Sequence, residues 1–199
     1  MNSISSHKSS NLSGNLIVPG DKSISHRSLI IGSLVNGRIE INNLLESEDV
    51  IATANALRIL GVQINKLNNK WEVFGSGIGN FYGSNYTLNM GNSGTGARLL
   101  MGLIAGSDIE ATFIGDESLS KRPMKRITTP LKKTGATIGN QTNNLPIKIK
   151  GNKIVLPIEY ESSVPSAQVK SSILLAGLSS LGKTTVIEPT LSRDHTERM

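Results

Sequence analysis

What most constrains this chain is that it repeats itself at long intervals. One stretch runs Asp21-Lys22-Ser23-Ile24-Ser25-His26-Arg27 into an apolar run ending at Gly32. A second runs Asn92-Ser93-Gly94-Thr95-Gly96-Ala97-Arg98 into Leu99 to Gly102. A third runs Ser166-Ala167-Gln168-Val169-Lys170 into Ser171 to Gly177. Each joins a short polar segment and a cation to a helix-like run with small residues. The cations Arg27, Arg98 and Lys170 lie 71 and 72 residues apart.

A second feature recurs with nearly the same period. Leu45-Glu46-Ser47-Glu48-Asp49 leads into a helical pattern from Val50 to Leu60, closed by Gly61. Leu119-Ser120-Lys121-Arg122-Pro123 leads into Met124 to Thr134, closed by Gly135. A glycine just past a helix supplies its left-handed C′ residue. Pro123 suits a first helical position, whereas Pro130 inside the pattern should bend or weaken the helix. The third copy is Leu191-Ser192-Arg193-Asp194-His195, so the sequence is expected to stop inside its third repeat, at Met199. Between the helices lie runs rich in β-branched residues: 39–44, 71–74, 87–90, 111–114, 147–150, 154–156 and 184–187. Common solenoids have shorter periods, so a closed, three-fold α/β domain with helices inside a shell of sheets is expected. Leu12 to Val18 reads as a strand that precedes the first repeat and belongs to a different sheet.

Composition narrows the chemistry. The chain has no cysteine, which excludes disulfides, thiolate metal sites and a cysteine nucleophile. His7, His26 and His195 show no metal-ligand spacing. No apolar run is long enough to span a bilayer, and Met1 to Gly14 lacks the apolar centre of a secretory signal, so a cytoplasmic protein is expected. The net charge is +6, but the cations are dispersed without interleaved aromatics. That pattern argues against nucleic acid and for small phosphorylated ligands.

The polar segments carry that chemistry. Gly20 to Arg27 reads as a turn into a helix, whose free N–H groups and dipole suit an anion. Ser23 adds a hydroxyl, Arg27 follows four residues on along the same face, and Lys22 projects at the mouth. In Gly91 to Arg98, three glycines in six residues let backbone N–H groups approach a phosphate or carboxylate. The Gly-Lys-Ser/Thr ending of a P-loop is missing, and no acidic residue follows where a dinucleotide fingerprint needs one. Arg98 reads as a structural helix residue. Among the cations of Lys121 to Arg126, Arg122 stands out because Pro123 fixes it at a helix entrance, where a guanidinium can fork onto an anion. Ser166 and Gln168 suit a polyhydroxylated, phosphorylated ring, or equally a capped helix. Lys170 reads as packing or solvated. In the last motif only Arg193 is expected to touch phosphate; Asp194, His195 and Glu197 read as structural.

Taken together, these motifs resemble the 5-enolpyruvylshikimate-3-phosphate synthase family. The matching stretches are Gly20 to Arg27, Gly91 to Gly96, Lys121 to Met124, Ser166 to Ser171 and Ser192 to Glu197, in the family's order over nearly the whole chain. The resemblance implies two similar domains of βαβαββ units in a chain roughly twice this length. By that pattern residues 1–20 are a tail and first strand of a mostly missing domain, and 21–199 are the substrate-binding domain with its third repeat incomplete. The implied reaction moves the enolpyruvyl group of phosphoenolpyruvate to the 5-hydroxyl of shikimate 3-phosphate, in chorismate biosynthesis. It needs no cofactor and no metal, and the implied full-length protein is a monomer.

Carried over by resemblance, Lys22, Ser23 and Arg27 face shikimate 3-phosphate, as do Ser166, Ala167, Gln168 and Arg193. Lys22, Gly94, Arg122 and Gln168 face phosphoenolpyruvate, with Lys22 as general acid. An alanine at the place of Gly94 crowds that pocket in the family and excludes glyphosate, so Gly94 implies sensitivity. The missing half supplies the acidic base for the hydroxyl, so this chain alone is expected to be inactive. One alternative is a non-catalytic anion-binding fragment. Another is the sister enzyme acting on UDP-N-acetylglucosamine, disfavoured because its Lys-Asn is Lys22-Ser23 here and its loop cysteine is absent.

Overall fold

The Asp21 carboxylate accepts the Ile24 amide at 2.8 Å and so starts the first helix, α1 (Lys22–Ser33). The computed structural model describes residues 3–68, 70–139 and 143–199. After α1 come β1 (Asn36–Asn42), α2 (Glu48–Ile59), β2 (Gln63–Leu67) and β3 (Lys70–Ser76), with the strands antiparallel in the order β1-β3-β2. The second unit is β4 (Tyr82–Asn89), α3 (Gly94–Ala105), β5 (Asp108–Ile114), α4 (Glu117–Ser120), α5 (Lys125–Lys133), β6 (Thr137–Gly139) and β7 (Ile147–Lys150). Its sheet runs β4-β5-β7-β6, with β4 and β5 parallel. The third unit has β8 (Glu159–Glu161) parallel to β9 (Thr185–Ile187), with α6 (Ala167–Gly177) between them and α7 (His195–Arg198) after.

The expected repeat is therefore real, and so is the burial of helices behind sheets. From Leu99 to Ala105 every residue of α3 is buried, and α3 packs on α1, α2, α5 and α6. The strands alternate: Ile147 and Ile149 of β7 face inward while Lys148 and Lys150 face out. Gly61 and Gly135 follow α2 and α5 at φ 93° and 95°. Pro130 lies buried within α5, which continues to Lys133 rather than ending there.

Two expected strands form no ladder among the described residues. Leu12 to Val18 has no ladder partner among the described residues, and Leu12, Leu16 and Ile17 are exposed. A run without a neighbouring strand makes no cross-strand hydrogen bonds, and the expectation places this one in a different sheet. Residues 154–156 give only one bridge, Val155 to Ser180, because Ile154 and Leu156 turn outward. Three strands went unexpected, β2, β6 and β8, and so did α4.

The repeat also explains an open apolar groove. Helix α2 packs on α1 and α3, and α5 packs on α3 and α6. The corresponding place beside α6 and α1 is a groove of about 580 Å³ lined by Ile31, Leu34, Leu174, Leu178 and Met199. It is large but apolar, and the polar motifs converge elsewhere.

Candidate functional site

Three helix starts meet at one end of the helical core. From α1, Arg27 is buried, with 3 % of its surface exposed. Its Nη1 donates to the Ser23 carbonyl at 2.9 Å, its Nε to Thr196 Oγ1 at 2.7 Å and its Nη2 to Ser171 Oγ at 2.9 Å. Burial lowers its pKa from the usual arginine value, Glu197 opposes that and Arg193 adds to it. A guanidinium nevertheless keeps its charge in proteins. From α6, Ser166 caps the Val169 amide at 3.4 Å, and its own amide donates to Glu188 Oε1 at 3.1 Å. Gln168 is gripped at both ends of its amide: Nε2 donates to Thr95 Oγ1 at 2.8 Å and Oε1 accepts from Arg98 Nη1 at 2.6 Å.

These side chains line one cleft. A narrow part of about 30 Å³ is walled by Ser23, Arg27, Thr95, Ala167, Gln168, Arg193 and His195. A wider hollow of about 580 Å³ shares Ala167, Gln168 and Arg193 and adds Ser166 and Ser192. Neither part is lined by a carboxylate. Among the described residues Arg27 and Arg193 have no ion-pair partner, although Glu197 and Asp21 act on Arg27 from outside the lining, so the cleft carries an excess of positive charge suited to an anion.

The glycine-rich segment forms the neighbouring wall. Ser93 caps α3 through the Gly96 amide at 3.3 Å. Asn92 Oδ1 accepts from Arg122 Nη2, while Asn92 Nδ2 donates to Asp116 Oδ2 at 2.8 Å. A methyl on Gly94 would lie 3.1 Å from Arg122 Nη1 and 3.6 Å from Arg98 Nη1. Gly94 thus sits directly under two guanidinium groups. Burial lowers the pKa of Arg98, and Arg126 and Arg122 nearby lower it further.

The structure gathers Ser23, Arg27, Ala167, Gln168 and Arg193 into the narrow cleft, and Ser166 into the hollow beside it. Gly94 and Arg122 meet each other, and Arg98 links them to Gln168. Lys22 is set apart: half-exposed, it pairs with Asp49 of α2 and does not line the cleft. Arg98 proves more than a helix residue, since it orients Gln168. Lys170 is neither solvated nor simply packed: Nζ pairs with Glu188 at 2.8 Å and Glu197 at 2.7 Å. Burial disfavours charge on Glu188, but hydrogen bonds from Lys170, Ser192 and the Ser166 amide outweigh it and hold its pKa at about 2.

Several contributors escape sequence reasoning: Asp49, Thr95, Ser171, His195 and Thr196. Thr95 had a signal, its place between two glycines of the loop. The others depend on pairing across the fold. Among the described residues no cluster of metal ligands exists, and no helix is long and apolar enough to cross a membrane.

Fold and cleft together define a class: a repeat-built α/β domain with a cation-lined, acid-free cleft where helix starts converge. Comparison with known proteins is specific. The family model for EPSP synthase (3-phosphoshikimate 1-carboxyvinyltransferase) matches residues 6–199. A 3-phosphoshikimate 1-carboxyvinyltransferase from Rhodospirillum rubrum is 53 % identical over 97 % of this chain and 44 % of its own. One from Bartonella quintana is 52 % identical over 98 % of this chain and 45 % of its own. The solved EPSP synthase of Acinetobacter baumannii superposes with a TM-score of 0.87 at 44 % identity, over 93 % of this chain and 42 % of that one. The chain belongs to the EPSP synthase family. It spans less than half the length of the relatives it matches.

Proposed function

We propose that this chain supplies the shikimate 3-phosphate side of an enolpyruvyl transferase acting with phosphoenolpyruvate. The observation that carries the reading is the cleft itself, with Arg27 and Arg193 beside Ser23, Ala167 and Gln168 and no carboxylate in its lining. A phosphate needs cations not already neutralised, and a ring bearing hydroxyls needs fixed hydroxyl and amide partners. Ser23, Ser166 and Gln168 are such partners. Gln168 is positioned from Thr95 and Arg98, so it stands between the cleft and the Gly94–Arg122 wall that we assign to phosphoenolpyruvate.

In this reading Lys22 is the general acid that protonates the methylene carbon of phosphoenolpyruvate. The 5-hydroxyl attacks the adjacent carbon and gives its proton to a base beyond this cleft's lining, and the tetrahedral intermediate then loses phosphate together with a proton from the new methyl group, which restores the carbon–carbon double bond. Lys22 is paired with Asp49, so it must exchange that partner for substrate. Positioning two anions side by side accounts for most of the rate gain. A cytoplasmic location goes with this reading. For these 199 residues alone, an anion-binding role without turnover is the favoured activity, because the cleft lining offers no acidic base.

Calorimetric titration tests this. Shikimate 3-phosphate is expected to bind the chain weakly, and Arg27→Ala to abolish the heat. Tight binding of both substrates, or turnover by the chain alone, would contradict the assignment of half a site. No binding at any concentration would refute it altogether.

A further inference from the structure

The edge of Arg27 that faces the protein meets no carboxylate. It forks onto two hydroxyls instead, Thr196 Oγ1 at 2.7 Å from Nε and Ser171 Oγ at 2.9 Å from Nη2. The two hydroxyl oxygens lie 2.6 Å apart and are hydrogen-bonded to each other. Together they offer the guanidinium the two-acceptor face that a carboxylate would, without its charge. Nη1 is taken by the Ser23 carbonyl, so all of Arg27's hydrogen-bond partners among the described residues are uncharged oxygens. A guanidinium has five N–H groups, so two remain for the cleft that Arg27 lines.

The hydroxyl pair is itself held in place. Ser171 belongs to α6 and Thr196 to α7, and next to each lies one partner of an ion pair. Lys170 meets Glu197 at 2.7 Å across the same two helices and also holds Glu188 at 2.8 Å. The carboxylate of Glu197, next in sequence to Thr196, is thereby engaged with a lysine.

We infer that Thr196, clamped beside Ser171 by the Lys170–Glu197 ion pair, is a positioning residue for Arg27: it fixes the guanidinium through neutral acceptors and leaves its charge for the anionic ligand. This rests on the cleft being the shikimate 3-phosphate site. A purely structural contact would be served as well by a carboxylate. A binding contact would not, because a carboxylate cancels the charge the ligand needs.

The test uses the 199-residue chain, arginine side-chain NMR and titration with shikimate 3-phosphate. Thr196→Val preserves volume and removes the acceptor; Thr196→Ser restores it; Thr196→Asp keeps an acceptor but adds charge. The Arg27 Nε–H is expected to resist solvent exchange in the wild type, in Thr196→Ser and in Thr196→Asp, and to lose that protection in Thr196→Val. Affinity is expected to fall about tenfold in Thr196→Val and in Thr196→Asp and to return in Thr196→Ser. Should Thr196→Val fail to fold, Ser171→Ala removes the other arm of the fork and carries the same expectation at Nη2. A Thr196→Val chain that keeps both the protected Nε–H and wild-type affinity overturns the inference, as does Thr196→Asp binding as tightly as wild type. If the wild type does not bind shikimate 3-phosphate, the functional reading falls, and the Nε–H comparison still decides whether Thr196 positions Arg27.

Discussion

Two glycines two positions apart in one glycine-rich segment have very different neighbours. A methyl on Gly94 would meet Arg122 Nη1 at 3.1 Å, the movable end of a long side chain. A methyl on Gly96 would meet Thr53 Oγ1 at 2.3 Å and Ser93 Oγ at 2.6 Å. Thr53 cannot yield, because it is buried and bonded to His26 Nδ1 at 2.8 Å. Gly96→Ala is therefore expected to cost about 1–3 kcal/mol in urea denaturation. Gly94→Ala should stay within about 0.5 kcal/mol of the wild type while shifting the Arg122 side-chain signals and, under the proposed assignment of this wall, weakening phosphoenolpyruvate binding. Equal destabilisation by the two would show that the loop does not divide its roles this way. The family resemblance extends this proposal to glyphosate, whose inhibition of an active enzyme should weaken in Gly94→Ala. Gly94 was legible in the sequence because the glycine-rich loop announces it. Thr53 was not, since its partners lie 27 residues before it and in another helix.

At the scale of elements, the helices were the most legible part, because their apolar runs carry capping residues and closing glycines in the chain itself. Strands were less so, since a strand exists only with a partner. Leu12 to Val18 has no strand partner among the described residues, whereas β8 is Glu159-Tyr160-Glu161, an unpromising run ordered by its pairing with β9. The cleft follows the helices: Ser23, Arg27, Ala167 and Gln168 meet in it because repeats bring equivalent helix starts together. The clamp of α7 on α6 was not readable, for Lys170, Glu188 and Glu197 meet only in three dimensions. Its energetics are nonetheless predictable. Removing one partner from a buried ion pair strands the other's charge, a loss of about 3–5 kcal/mol in full burial. Glu188 has 8 % of its side chain exposed but Glu197 36 %, so solvent relieves part of the loss. Lys170→Met is expected to destabilise the chain by about 2–3 kcal/mol in denaturant titration. It should also release α7, seen as faster exchange of the Arg198 amide, which donates to the Asp194 carbonyl at 3.1 Å. A loss below about 0.5 kcal/mol would mean the clamp is worth no more than a surface pair.

Over the whole molecule, His26 ties the packing of three helices to pH. It sits in α1 with no exposed surface, bonds Thr53 of α2, and through Thr53 abuts Gly96 of α3. Burial lowers its pKa from 6.5 to about 4; Asp49 works against this, and Lys22 and Arg27 work with it. Its Nε2 has no partner among the described residues, so a second proton there would be a buried, unpaired charge. The sign follows from linkage. Between pH 6.5 and about 4 the unfolded chain binds a proton at this residue that the folded chain refuses, so folding loses stability as pH falls. A shift of this size corresponds to about 3 kcal/mol across that window. Glu188 acts lower: its folded pKa of about 2 leaves its contribution intact above its ordinary 4.5 and removes it as pH falls towards 2. The two groups thus act in succession, and a variant separates them. His26→Asn keeps a side-chain partner for Thr53 and cannot titrate, so its stability should stay nearly level from pH 7 to pH 5, where the wild type declines. Below about pH 4 the two should fall in parallel as Glu188 and the other carboxylates protonate. Denaturant midpoints at pH 7, 5.5, 4.5 and 3 would show it. Parallel curves over the upper window would mean that His26 accepts its proton inside the fold, and that the junction of α1, α2 and α3 is open to water.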